Sequence, residues 1–111
     1  MLQNALHPQN YMEGDTLRSG LASIVQDQWP VVHEAVHDWM RTGVKHVFLT
    51  GCGGSFATFK PVQVLLERYS TIPVSAQTGW EFVDRASPRL DSQAVAVLAS
   101  HTGTTEEVLR A

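Results

Sequence analysis

The chain has one cysteine, Cys52, in 111 residues. A lone thiol excludes an internal disulfide framework and any Cys-x-x-Cys metal or redox motif. A reducing, cytoplasmic setting is therefore expected. No stretch approaches the roughly 18 consecutive apolar residues of a membrane span. The opening residues, Met1-Leu2-Gln3-Asn4-Ala5-Leu6-His7-Pro8, have neither a basic start nor an apolar run, so no signal peptide is expected. Charge is scarce too: 17% of residues are Asp, Glu, Lys or Arg, and the net charge is −3. That excludes a charged disordered tail. It also gives no general attraction to nucleic acid or to an anionic membrane. An anionic ligand would have to be held by local geometry. What the chain does have is apolar material, 43% of its residues, at a length that suits one compact domain.

The spacing of apolar residues sets the expected elements. Leu17, Leu21, Ile24 and Val25 recur at intervals of three and four, which predicts a helix over 13–28 after an irregular lead-in over 1–12. Trp29-Pro30 is expected to end it, with Pro30 in the first turn of a second helix. That helix would bury Val32, Val36, Trp39 and Met40 and stop at Gly43. The period then changes. Residues 44–50 form a β-branched apolar run, read as a buried strand. The loop Gly51-Cys52-Gly53-Gly54-Ser55 follows, then a helical stretch to about Tyr69 that starts near Lys60 or bends at Pro61. A second strand is expected over 72–76, at an edge or starting at Pro73. A short helix over 79–86 would end at Ser87-Pro88-Arg89. The third strand, Ala94–Ala99, is apolar on both faces, as a central parallel strand would be. Ser100-His101-Thr102-Gly103-Thr104-Thr105 then leads into a helix from Glu106, with Thr104 and Glu107 spaced as a capping box.

This alternation predicts an α/β fold, a parallel flavodoxin-like sheet behind two leading helices. Residues 1–43 form a helical lead-in, and residues 44–111 the N-terminal part of the sheet domain. Three strands and a helix of about two turns do not finish a doubly wound sheet, so the fold is expected to be C-terminally incomplete.

The chemistry is expected in the two loops that follow strands 1 and 3. Each follows a buried strand, opens a helix, and is rich in Gly, Ser and Thr. Helix N-termini direct N–H groups and a partial positive charge outward, and hydroxyls add donors without charge. In a 2-1-3-4-5 sheet the two loops meet at the topological switch point, which makes a phosphate site. A dinucleotide is disfavoured. Phe56 stands where the third glycine of Gly-x-Gly-x-x-Gly belongs, and Ser75-Ala76-Gln77 supplies no acidic residue at the end of strand 2. No Gly-Lys-Ser/Thr is present for a nucleoside triphosphate.

Two stretches carry a family resemblance. Gly51-Cys52-Gly53-Gly54-Ser55 resembles the strand-1 loop of the sugar isomerase (SIS) domain family, Cys-Gly-Thr/Gly-Ser. Ser100-His101-Thr102-Gly103-Thr104-Thr105 resembles its strand-3 loop, Ser-x-Ser/Thr-Gly-x-Thr, and Gly79-Trp80-Glu81-Phe82 is similar to the Glu-Phe often found between them. The resemblance covers Val47 to Arg110. It implies a phosphosugar-binding domain, with Ser55, Ser100, Thr102 and Thr105 on the phosphate, Gly53, Gly54 and Gly103 shaping the loops, and His101 beside the sugar. Thr104 stands where the aminosugar synthase branch has Glu. The His-Thr-Gly-Thr-Thr variant is most similar to the fructosamine-phosphate deglycase and aminosugar deaminase/isomerase group. That group implies cytoplasmic homo-oligomers that move a proton between C1 and C2 with no metal or redox cofactor. It also implies that the catalytic carboxylate lies outside this chain. A non-enzymatic module that senses a sugar phosphate is the alternative within the same family.

Other patterns compete. His33-Glu34-Ala35-Val36-His37 is a literal His-Glu-x-x-His, which on a helix is the signature of a zinc hydrolase. Met40 and Gly43 stand where the extended motif needs Gly and His, and Glu67 is the candidate third ligand. The bland reading is an exposed polar face. Cys52 needs a base within reach to act as a nucleophile, and otherwise fills space under its loop. His101 is the one candidate for acid–base work. Lys60 is a phosphate counter-charge or a solvated residue. Glu81 is expected to cap a helix, and Trp80 and Phe82 to pack in the core.

Overall fold

A computed structural model describes residues 14–85 and 87–111. The irregular lead-in expected over 1–12 lies outside the described residues. The chain divides into two units, Met1–Asp38 and Trp39–Ala111.

The first described element, α1, is one helix over Gly14–Thr42 with Pro30 inside it. This corrects the expectation of two leading helices. Proline's fixed φ is itself helical, and inside a helix it removes one hydrogen bond and crowds the preceding turn. Val25, Trp29, Val32, Val36 and Met40 keep their helical phase across Pro30. That stripe is solvent-exposed, Trp29 at 62% and Val36 at 42%, where a buried face was expected. Gly43, at φ 77°, ends the helix in the left-handed region as a C′ glycine does.

The second unit contains the sheet. Its elements are β1 (His46–Gly51), α2 (Gly54–Tyr69), β2 (Val74–Thr78), α3 (Gly79–Arg85), β3 (Ala94–Ala99) and α4 (Glu106–Arg110). The sheet order is β2-β1-β3, and both pairings are parallel, Val47 lying opposite Val74 and Val95. The fold is thus α/β with the flavodoxin-like order. The chain steps from β1 to β2 on one side, then crosses back over β1 to β3. Right-handed crossovers in opposite directions put α2 and α3 on opposite faces of the sheet.

Packing follows from this order. The middle strand β1 is buried almost throughout. Phe48 meets the edge of Phe82 from α3, with ring centroids 5.6 Å apart. Val74, Leu49 and Val108 complete the buried apolar set among the described residues. β1 is the central strand here and not β3, whose Ala96 and Leu98 are exposed. Its all-apolar composition describes a surface suited to burial and does not count hydrogen-bonded neighbours. β2 starts just past Pro73, at an edge, because proline has no N–H for a ladder. α2 begins at Gly54, six residues before Lys60, and runs on through Pro61.

Among the described residues, no helix is long and apolar enough to cross a membrane.

Candidate functional site

Parallel strands carry their connections to the same end, so the β1–α2 and β3–α4 loops emerge side by side above β1 and β3. A cavity of about 570 Å³ lies there, lined by Cys52, Gly54, Ser55 and Thr58 from the first loop and helix and by Ala99, His101 and Thr105 from the second. Ser55 and Thr105, remote in sequence, face one space. The lining contains no carboxylate.

Local chemistry explains each position. Gly53 is the N-cap of α2 at φ 54°, a left-handed value that favours glycine. No side chain caps this helix end and no acidic residue sits in its first turn, so nothing offsets its partial positive charge. Ser55 occupies that turn. One turn further, Thr58 donates to the Ser55 carbonyl at 2.7 Å. Sequence reading missed Thr58. The signal was its i+3 spacing from Ser55, which puts both on one helix face.

The second loop is closed on itself by hydroxyls. Ser100 Oγ accepts from the Gly103 N–H at 3.0 Å and pairs with Thr105 Oγ1 at 2.9 Å. Thr102 Oγ1 pairs with Thr104 Oγ1 at 2.7 Å. Gly103, at φ 71°, makes the turn. Gly53, Ser100, Thr102 and Gly103 thus shape the loops without lining the cavity. The capping box expected from Thr104 and Glu107 does not form. Thr105, not Thr104, is the N-cap of α4 and makes no side-chain cap bond; its hydroxyl pairs with Ser100 and that of Thr104 with Thr102.

A capping box does form at Thr78 and Glu81. The Thr78 N–H and hydroxyl both donate to Glu81 Oε2, at 2.9 and 3.0 Å, and the Glu81 N–H donates back to Thr78 Oγ1 at 3.2 Å. The Thr78 N–H bond, then the Thr78 hydroxyl, hold the Glu81 carboxyl below its ordinary 4.5 despite partial desolvation; Arg85 and Lys60 add to this. A lowered carboxyl pKa contributes stability above the unfolded value, and that contribution is lost as pH falls through the folded one. The stability gap between wild type and Glu81→Gln should therefore be widest near neutrality and narrow on acidification below about 4. Urea midpoints at several pH values would read this, and a gap independent of pH would refute it.

The remaining candidates sit elsewhere. Lys60 Nζ lies over the Phe56 ring, 5.3 Å from its centroid, and does not line the cavity. Cys52 is half-buried at its wall. His33, Glu34 and His37 are exposed on α1, and Glu67 accepts a bond from Gln63 on its own helix at 2.9 Å. Among the described residues, no three His, Cys, Asp or Glu side chains are grouped to hold a metal ion.

A buried histidine also escaped sequence reading. His46 is 4% exposed, with Nε2 2.9 Å from Ser75 Oγ and Nδ1 without a partner. Burial first, then the charge of Arg89, lowers its pKa. It stands at the start of β1, the end of the sheet away from the cavity.

The arrangement as a whole is a flavodoxin-like sheet with a carboxylate-free, hydroxyl-lined cleft at its switch point. Comparison with known proteins adds names to that class. The fructoselysine 6-phosphate deglycase of Escherichia coli O157:H7 is 26% identical over 102 residues, covering 92% of this chain and 30% of that protein. The protein of the same name from Escherichia coli strain K12 gives the same figures, 26% over 102 residues. The fructosamine deglycase FrlB of Bacillus subtilis strain 168 is 33% identical over 69 residues, 61% of this chain and 21% of that protein. The chain therefore spans less than a third of the length of these curated relatives. No protein-family model matches the chain, and no solved structure matches it.

Proposed function

We propose that this chain is the phosphosugar-binding part of an SIS-type enzyme acting on amino-linked sugar phosphates, of the fructosamine 6-phosphate deglycase, deaminase or isomerase kind. One observation carries the reading. The hydroxyl-rich loops after β1 and β3 share a single cavity at the switch point, where open α/β sheets bind their ligands. Its volume suits a small molecule. Its lining offers neutral donors and no carboxylate to repel a dianion. The names of the relatives point to the same substrate class.

In this reading Ser55 and Thr105 hold the phosphate from its two sides, and the open start of α2 adds its partial charge. Gly53, Gly54 and Gly103 let the backbone approach. His101 lies beside the sugar and orients a hydroxyl. Thr102, paired with Thr104, belongs to the second loop's set of hydroxyls. The reading carries with it an oligomeric, cytoplasmic enzyme whose catalytic carboxylate lies outside these 111 residues.

Titration calorimetry tests it. Fructose 6-phosphate should bind and fructose should not. Thr105→Val keeps the shape, removes one donor, and should weaken binding by about 1–3 kcal/mol. Absence of fructose 6-phosphate binding, or an unchanged affinity in Thr105→Val, would count against the site. Turnover of a fructosamine 6-phosphate by the full-length protein distinguishes an enzyme from a sensor.

A further inference from the structure

We propose that the chain carries a second small-molecule site, for an α-amino acid, at the end of the sheet away from the Ser55–Thr105 cavity. A separate cavity of about 280 Å³ opens there. It is lined by Lys45 and His46 at the entry to β1, Pro73 just before β2, and Pro88, Arg89 and Asp91 from the α3–β3 connection. All six belong to the unit that holds the sheet, and none lines the first cavity. The volume lies just under the range of drug-sized pockets and suits a ligand of few atoms.

The lining selects the ligand by charge. Two cations, Lys45 and Arg89, share the cavity with one carboxylate, Asp91. Among the described residues these three form no ion pair with one another, so both signs of charge are left for a ligand. An α-amino acid carries both. Its carboxylate suits Arg89 and Lys45, and its ammonium suits Asp91. Asp91 Oδ1 accepts the Gln93 N–H at 2.8 Å, which steadies the side chain and leaves its second oxygen for the ammonium. The rings of Pro73 and Pro88 give an aliphatic side chain an apolar wall. A phosphate dianion is disfavoured, because Asp91 repels it. His46 is an independent sign of a polar site. It is 4% exposed, with Nε2 held by Ser75 and Nδ1 without a partner. Buried polar groups are nearly always paired, and an aliphatic residue would pack on Phe48 without that cost. A polar ligand in the cavity gives the ring the surroundings that packing does not. The charge of Arg89 reaches this ring, so the guanidinium acts on the cavity as well as on solvent.

The experiment titrates the full chain with L-valine and with 3-methylbutanoate, the same skeleton without the amino group. L-valine should bind, and 3-methylbutanoate about two- to fivefold more weakly, the range of an exposed charge pair. Arg89→Gln should weaken both ligands by a similar factor. Asp91→Asn keeps the Oδ1 acceptor, and should weaken L-valine while leaving 3-methylbutanoate no weaker. A merely structural role for Asp91 would lower both together. Arg89 and Asp91 are exposed, so neither change removes a core contact. Fructose 6-phosphate should not displace L-valine. No binding of L-valine, equal binding of the two ligands, or no loss in Arg89→Gln would overturn the proposal. Displacement by fructose 6-phosphate would put the amino acid in the first cavity and overturn it too. The charge variants decide this site whether or not fructose 6-phosphate binds, so the two sites stand or fall separately.

Discussion

Replacing Gly79 with alanine is expected to lower stability by about 1–3 kcal/mol, as overpacking a close contact does, and to weaken fructose 6-phosphate binding with it. Gly79 is buried at the first position of α3. A Cβ there would lie 2.7 Å from the Glu107 Cβ, 2.7 Å from its carbonyl oxygen and 2.8 Å from its carbonyl carbon. Two of those atoms are backbone, so no rotamer change relieves the clash and α4 itself has to move. Alanine's helix propensity offsets little at a first position. α4 starts directly after Thr105, so displacing it tilts the cavity wall. A denaturant melt and a binding titration on one variant check both halves. An unchanged midpoint would mean that α3 and α4 are not held at this distance.

The largest loss is expected from Phe48→Ala, about 3–5 kcal/mol. Phe48 is 1% exposed at the middle of the middle strand, with its ring 5.6 Å from Phe82 and 4.4 Å from His46. Truncation leaves a cavity between the sheet and α3 that backbone on both sides cannot close. Few other side chains share the load, since the described buried apolar residues are Phe48, Leu49, Val74, Phe82 and Val108. Such a loss is comparable with the whole stability of a small unit, so cooperative unfolding itself should disappear. Val64→Ala, at a position 63% exposed on α2, is the matched control and should change stability by less than about 0.5 kcal/mol. Similar losses at the two positions would contradict the packing described here.

Strands and their order were legible because period and position agree. The run from Val47 to Thr50 has no polar alternation, and Pro73 marks an edge. What misled was proline read as a stop. At Pro30 the helix continues where a second one was expected to start, and α2 begins before Lys60 and runs through Pro61. Capping was misplaced for a related reason. Thr104 with Glu107 and Thr78 with Glu81 share the same spacing, but only Thr78 has its hydroxyl free of a nearer partner. The meeting of Ser55 with Thr105 was legible through topology, as both follow strands that had to be neighbours. Thr58 and His46 were not. One contributes by helical phase, the other by burial at a strand start, and neither leaves a motif.

The two margins of the sheet differ in what they allow. Beside β2, Pro73 denies an incoming backbone its first amide. Beside β3, the line of amides and carbonyls from Ala94 to Ala99 is unobstructed and flanked by bare alanine and leucine. The margin beside β3 is therefore the better suited of the two to take a further strand. Each strand so added would leave the Ser55–Thr105 crevice where it is while moving it from the periphery toward the middle, seating the ligand over ever stiffer ground.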